Sequence, residues 1–259
     1  MITSTANKQV KELLQLSKKA KARKENGVFV AEGLRMVSET PAELIEKVYV
    51  SESFLLQGER KLPSAPTEVL SDHVFTAVSD TSTPQGVLAV VKMPHYEEKD
   101  LFQKANGLFL VLETIQDPGN LGTMFRTAEG AGVSAIVLNG SCADLFQPKV
   151  VRSTMGSIYR VPFLVTEDLP LTVSKMKANG IHCYAAHLKG KVDYTGGQYE
   201  KASAFFIGNE GNGLSEELAA QADTLIRIPM GGKLESLNAA MAAGILMYEA
   251  ARQRKWADA

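Results

Sequence analysis

The residues able to do chemistry gather in three loops between residues 113 and 238. The first runs over 113–122 as Glu-Thr-Ile-Gln-Asp-Pro-Gly-Asn-Leu-Gly and continues Thr-Met-Phe-Arg126-Thr-Ala. Asp117-Pro118-Gly119 is a turn sequence, and Asn120 is expected to cap the next helix through its side-chain oxygen. Arg126 then falls about one and a half turns into that helix, among Leu121, Met124, Phe125 and Ala128. A guanidinium can grip a phosphate or stabilise an anionic oxygen, but it stays protonated and makes a poor base. Taken alone, Arg126 reads equally well as a rim arginine with a packed stem and a solvated head.

The second loop, Gly208-Asn-Glu210-Gly211-Asn-Gly213-Leu-Ser215, follows the apolar run ending Phe206-Ile207. Its three glycines permit close backbone approach to a ligand, although a glycine-rich structural turn explains them as well. A dinucleotide fingerprint needs the order G-x-G-x-x-G and an acidic residue ending the next strand. Here the order is G-x-x-G-x-G and the next strand ends Arg227-Ile228-Pro229, which argues against a nicotinamide site. The third loop, Ile228-Pro229-Met230-Gly231-Gly232-Lys233-Leu234-Glu235-Ser236-Leu237-Asn238, cannot continue a strand through its proline and paired glycines. Ser236 is expected as the helix N-cap, and Asn238 opens a helix of small apolar residues, AAMAAGILMYEAA, suited to close packing. A simple capped loop is the bland alternative.

The elements that must position these loops alternate regularly. Strands are expected at 108–112, 135–138, 161–165, 181–186, 204–207 and 225–228, with helices at 120–130, 146–154 and 236–255. Continuous apolar strands between helices predict an α/β fold with a parallel sheet covered on both faces, whose ligands sit at the carboxyl ends of the strands. Upstream, a helix over 7–22, a strand at 28–30, a helix at 33–40, strands at 47–50 and 68–70, a helical turn at 71–78 and a strand at 86–91 make a smaller α/β unit. The stretch 92–106 breaks the rhythm with Pro94 and a charge cluster. The expected division is therefore 1–93, a linker at 94–106, and 107–259.

Bulk properties narrow the class. The 259 residues are 45% hydrophobic and 22% charged with a net charge of −1, so any affinity for a polyanion must come from a local patch. One candidate patch is present. Within residues 1–24, Lys8, Lys11, Lys18, Lys19, Lys21, Arg23 and Lys24 face only Glu12, although such a run standing alone is ordinarily a solvated helix face. Two cysteines and four scattered histidines provide no disulfide framework and no metal-ligand spacing. The N-terminus lacks a signal-peptide layout and no apolar run is long enough to span a membrane. The expectation is a cytosolic, metal-free protein.

The order N-x-G-x-x-x-R-T-A, G-N-E-G-x-G-L and I-P-M-x-G-x-x-x-S-L-N resembles the three signature motifs of the SpoU/TrmH (SPOUT) family of RNA ribose 2′-O-methyltransferases. The resemblance covers about 108–254 and extends to Phe29-Val30-Ala31-Glu32-Gly33 and Thr83-Pro84-Gln85-Gly86-Val87, which look like the family's N-terminal substrate-binding domain. It implies a trefoil-knotted α/β catalytic and dimerisation domain, preceded by a small ribosomal-protein-like (L30e/L7Ae-like) domain. The implied cofactor is S-adenosyl-L-methionine, bound by Gly208, Ile228, Met230 and Leu237, and the implied assembly is a homodimer through the C-terminal helix. Arg126, Ser236 and Asn238 take the catalytic roles, and Asn120, Glu210 and Gly211 support them.

Arg126 is read as a phosphate clamp and stabiliser of developing alkoxide charge, with a deprotonated arginine base as the less favoured alternative. Beside such a domain, Lys18, Lys19, Lys21, Arg23 and Lys24 read as RNA-binding. The extra N-terminal domain favours 23S rRNA as substrate over tRNA. A nicotinamide oxidoreductase and a non-catalytic RNA-binding protein on the same fold are the competing readings.

Overall fold

The computed structural model describes residues 1–57 and 62–254. The chain forms two compact units, one of residues 1–95 with 144–159 and the other of 96–143 with 160–259.

The first unit is built on a four-stranded sheet in the order β1 (Val28–Glu32), β4 (Val87–Lys92), β2 (Ile45–Ser51), β3 (Thr67–Leu70). β4 runs antiparallel to both β1 and β2, whereas β3 is parallel to β2. Helices α1 (Lys8–Lys18) and α5 (Asp72–Val78) cover one face, where Val10, Leu13, Leu16, Val74 and Phe75 meet Val28, Val30, Tyr49, Leu88 and Val90. The expected helix over 7–22 is broken at Lys19, whose extended backbone separates α1 from α2 (Ala20–Asn26). The break exposes the terminal carbonyls of α1, and Arg23 turns back to donate to Leu16 O at 2.5 Å and Ser17 O at 3.1 Å. The same guanidinium pairs with Asp144, donating from Nε at 3.1 Å and from Nη2.

Asp144 belongs to a segment that the linear division of the sequence assigns elsewhere. Residues 144–159, with the helix Pro148–Thr154, pack onto β1 of the first unit. Phe29, fully buried on β1, has Phe146 at 4.9 Å and Tyr159 at 6.4 Å between ring centroids. The apolar outer face of β1 needs this cover, which accounts for the excursion.

The second unit holds a seven-stranded, wholly parallel sheet. Its order is β7 (Phe163–Thr166), β6 (Ala135–Asn139), β5 (Leu108–Leu112), β10 (Ser203–Ile207), β8 (His182–Ala186), β11 (Thr224–Arg227), β9 (Val192–Asp193). Every residue of β5 and β10 is buried, as the continuous apolar runs require of strands covered on both faces. On one face Phe109, Val111, Ala185, Ala204 and Phe206 pack with Leu169, Val173 and Met176 of α9 (Leu169–Ala178) and Leu218 of α10 (Glu216–Gln221). Helix α11 (Ala239–Gln253) packs on α7 (Pro118–Gly130), β5 and β10. Between β5 and β10 the strand order changes direction, and a sheet of this kind opens its ligand crevice at that point. The first two motif loops leave these two neighbouring strands.

Two caps differ from expectation. Helix α7 begins at Pro118, and its cap is Asp117, whose Oδ1 accepts from Asn120 N at 2.7 Å. Asn120 is therefore inside the first turn, leaving its side chain free for other partners. Helix α11 is capped by Asn238, whose Oδ1 accepts from Ala240 N at 2.9 Å and Met241 N at 3.2 Å, so Ser236 is not the cap. The expected helix end at Lys255 lies outside the described residues.

Candidate functional site

A chain of side-chain hydrogen bonds joins the three motif loops. Glu210 of the second loop accepts from Asn120 Nδ2 at 3.1 Å, and from the backbone N–H of Gln116 and Asp117 at 3.2 Å each. Asn120 Oδ1 in turn accepts from Asn238 Nδ2 at 3.0 Å. Asn238 thus uses its oxygen to cap α11 and its amide to reach α7. Burial raises the Glu210 carboxyl, but the Asn120 amide, its own N–H and those of Gln116 and Asp117 outweigh it and hold the group below the usual carboxylate range.

A second lock ties the same two loops. Glu113 accepts from Ser215 N at 2.7 Å and from Ser215 Oγ at 2.6 Å, while Ser215 Oγ caps α10 through Leu218 N. Asn209 donates from Nδ2 to Thr114 O at 2.9 Å, and its Oδ1 accepts from Gly211 N and Asn212 N. Glu113, Ser215 and Asn209 are absent from the sequence-derived site. Their signal was their position beside the motif residues, with side chains able to satisfy loop backbone.

Glycine has a specific task at Gly208. A Cβ there would lie 2.2 Å from Gly213 C and Leu214 N, because the loop closes on itself through paired Asn209–Gly213 backbone bonds of 3.0 and 2.9 Å. Gly208 is buried and Gly211 is exposed at the tip. In the third loop, an added Cβ at Gly231 or Gly232 would meet nothing within 4 Å. Ile228, Met230 and Leu237 are half-buried and Ser236 is exposed. Across 229–237 no backbone N–H or C=O is hydrogen-bonded to the described residues. Peptide groups left open in this way can read a planar heterocycle's edge through backbone atoms alone, which fits an adenosine.

Arg126 is exposed on α7, while Leu121, Met124, Phe125 and Ala128 are fully buried. It makes no hydrogen bond or ion pair with the described residues. Within 120–126 only Asn120, Thr123 and Arg126 are not buried, so the guanidinium shares with Asn120 the side of the helix turned away from the core.

The N-terminal basic residues divide. Lys8, Lys11, Lys18, Lys19, Lys21 and Lys24 are exposed. Arg23 is 3% exposed and engaged by Asp144, Leu16 and Ser17, so it belongs to the core of its unit and not to a phosphate-facing patch. Lys8 and Lys21 have i,i+4 partners in Glu12 and Glu25. Cys142 and Cys183 are free thiols, and burial pushes Cys183 up to about 12, which leaves it protonated. No cluster of three or more metal-ligating side chains occurs among the described residues.

Residues 107–248 match the model of the SpoU rRNA Methylase family. The chain belongs to that family. Residues 7–89 match the MRM3-like substrate binding domain. The 23S rRNA (guanosine(2553)-2′-O)-methyltransferase RlmP of Bacillus subtilis is 36% identical over 252 residues, covering 95% of this chain and 97% of the relative. The crystal structure of an AdoMet-bound rRNA methyltransferase from Sinorhizobium meliloti superposes with a TM-score of 0.84 at 33% identity, covering 97% of each chain. The SpoU methyltransferase AviRb from Streptomyces viridochromogenes, in complex with AdoMet, gives 0.84 at 26% identity, covering 96% of this chain and 98% of that one. Both of these solved relatives hold AdoMet.

Proposed function

We propose that the chain methylates a ribose 2′-hydroxyl of 23S rRNA, with guanosine as the nucleoside, acting as a cytoplasmic homodimer. The observation that carries this reading is the Glu210–Asn120–Asn238 brace, which gathers the family's three motifs into one site beside the open backbone of 229–237. RlmP, similar over nearly the whole chain, supports the rRNA substrate and the guanosine. A trefoil crossing of the C-terminal segment and an L7Ae-like character for the N-terminal unit are part of the same proposal.

S-adenosylmethionine, when bound, supplies a sulfonium methyl group that an oxygen nucleophile can take in a single displacement. Gly208, Ile228, Met230 and Leu237 would hold its adenosine part, largely through backbone atoms. The protein's remaining work is to orient the ribose hydroxyl and to manage its proton. Arg126 has a guanidinium without protein partners among the described residues, so it can hold the RNA phosphate and offset negative charge growing on the ribose oxygen. Ser236, exposed on the third loop, is free to bind the ribose or the cofactor tail. Asn238 has little capacity left after its three bonds and acts as a brace for the loops together with Asn120 and Glu210.

The dimer is supported by helix α11. Its buried side packs within the chain, while Met241 and Tyr248 are 60% and 44% exposed and share a strip with half-buried Ile245. Exposed lysines on α1 and α2 would meet phosphates.

Transfer of labelled methyl from S-adenosylmethionine to 23S rRNA, with tRNA as the parallel substrate, tests the proposal. Labelling of ribose in 23S rRNA is expected. Labelling of tRNA alone would replace the substrate, and labelling of neither would favour a non-catalytic RNA-binding protein.

A further inference from the structure

Thr114, between the end of β5 and the first motif, has φ of +57°. For a β-branched residue this left-handed conformation is strained and persists only where its surroundings over-determine it. Every polar group of Thr114 is held. Its N–H donates to Asn139 Oδ1 at 2.9 Å, its Oγ1 accepts from Asn139 Nδ2 at 3.0 Å, and its carbonyl accepts from Asn209 Nδ2 at 2.9 Å. The next residue is held too, with Ile115 N donating to Cys142 Sγ at 3.3 Å and Ala143 N donating to Ile115 O at 2.7 Å. Asn139 is the last residue of β6, and Cys142 Sγ lies 3.3 Å from its Oδ1.

We infer that Asn139 is a positioning residue for methyl transfer, holding Thr114 left-handed so that the loops after β5 and β10 keep one register. The inference rests on the methyltransferase reading. Two residues beyond the clamp, Gln116 and Asp117 give their N–H groups to Glu210, and Asp117 caps the helix that bears Asn120 and Arg126. On the other side, Thr114 O holds the Asn209 amide, and Asn209 Oδ1 shapes the turn at Gly211 and Asn212. Without Asn139, the threonine has a reason to return to negative φ, and both the Arg126 helix start and the cofactor-side loop would shift with it.

The test is a cycle of Asn139→Ala, Thr114→Gly and the double variant, with cofactor titration and single-turnover transfer to 23S rRNA for each. Asn139→Ala should lower turnover on the order of 10- to 100-fold, the scale of a misplacement near 1 Å, and weaken cofactor binding severalfold. Glycine adopts φ of +57° without strain, so adding Asn139→Ala to Thr114→Gly should cost far less than adding it to the wild type. A loss that is equal in both backgrounds would assign Asn139 a general structural role and overturn the inference, as would wild-type turnover in Asn139→Ala. If Asn139→Ala does not fold, Asn139→Asp replaces it in the cycle, since it keeps an oxygen for Thr114 N–H and should retain more activity than loss of the side chain would. If the wild type binds cofactor but methylates no rRNA, the substrate reading fails instead, and the cofactor affinities across the cycle still decide the role of Asn139.

Discussion

At the scale of single residues, side chains that would meet the substrate differ from those that hold them in place. Arg126 is in the first group. Arg126→Ala should fold and bind cofactor nearly as the wild type does, while turnover falls by about 10²–10³, the usual loss on removing one preorganised electrostatic partner. Arg126→Lys should recover little, because it lacks the planar fork. Single-turnover transfer beside cofactor titration checks both, and near-wild-type turnover by Arg126→Ala would return it to a rim arginine. Glu210 is in the second group, and its ionisation has a defined pH signature. Its folded-state pKa lies below the unfolded one, so its contribution to stability is complete above about 4.3 and is lost as pH falls through the lower folded value. Cofactor affinity measured from neutral pH down to about 5 should therefore show no step from Glu210. A Glu210→Gln variant should bind cofactor more weakly at every pH in that range. A step near neutrality that vanishes in Glu210→Gln would contradict this assignment.

At the scale of elements, the sequence was most legible where burial imposes a simple pattern. Strands β5 and β6 stand out because both sheet faces are covered, so every position is apolar except the terminal Asn139 of β6. The two-residue β9 has no such pattern, and α9 was not anticipated. Cap assignments erred where two capping residues compete. Pro118 at the first helical position points to Asp117 before it, a signal that Asn120 obscured. The break at Lys19 was invisible because lysine is a good helix former. Its cause is tertiary, the return of Arg23 to the freed carbonyls and to Asp144. That pair, with Arg23 buried and Asp144 half-buried, gives a stability prediction. Removing Asp144 leaves the buried guanidinium without its carboxylate, so Asp144→Ala should destabilise the first unit by about 1–3 kcal/mol, read as a lower urea midpoint. An unchanged midpoint would show that the pair is dispensable. The exposed lysines of the same helices behave differently. Replacing Lys18, Lys19, Lys21 and Lys24 with Ala should flatten the salt dependence of RNA binding by up to roughly four phosphate contacts without changing cofactor affinity. An unaltered salt slope would make them a solvated face.

At the scale of the whole molecule, the sequence carried the parallel α/β sheet and the three motif loops, because glycine spacing and apolar runs are local properties. It did not carry the brace that joins those loops. Glu210 and Asn120 are 90 residues apart and Asn120 and Asn238 are 118 apart, so only the strand order brings them together. The excursion of residues 144–159 was hidden for the same reason, since the face of β1 that it covers lies over a hundred residues upstream. The activity proposed for this SpoU family member is methylation of one ribose of 23S rRNA. Mass-spectrometric mapping of ribose methylation in rRNA from cells with and without the gene tests it most directly. One 2′-O-methylated nucleoside, a guanosine, is expected to disappear from 23S rRNA when the gene is removed and to return with the wild-type protein but not with Arg126→Ala. Identical rRNA methylation in the two strains would contradict it.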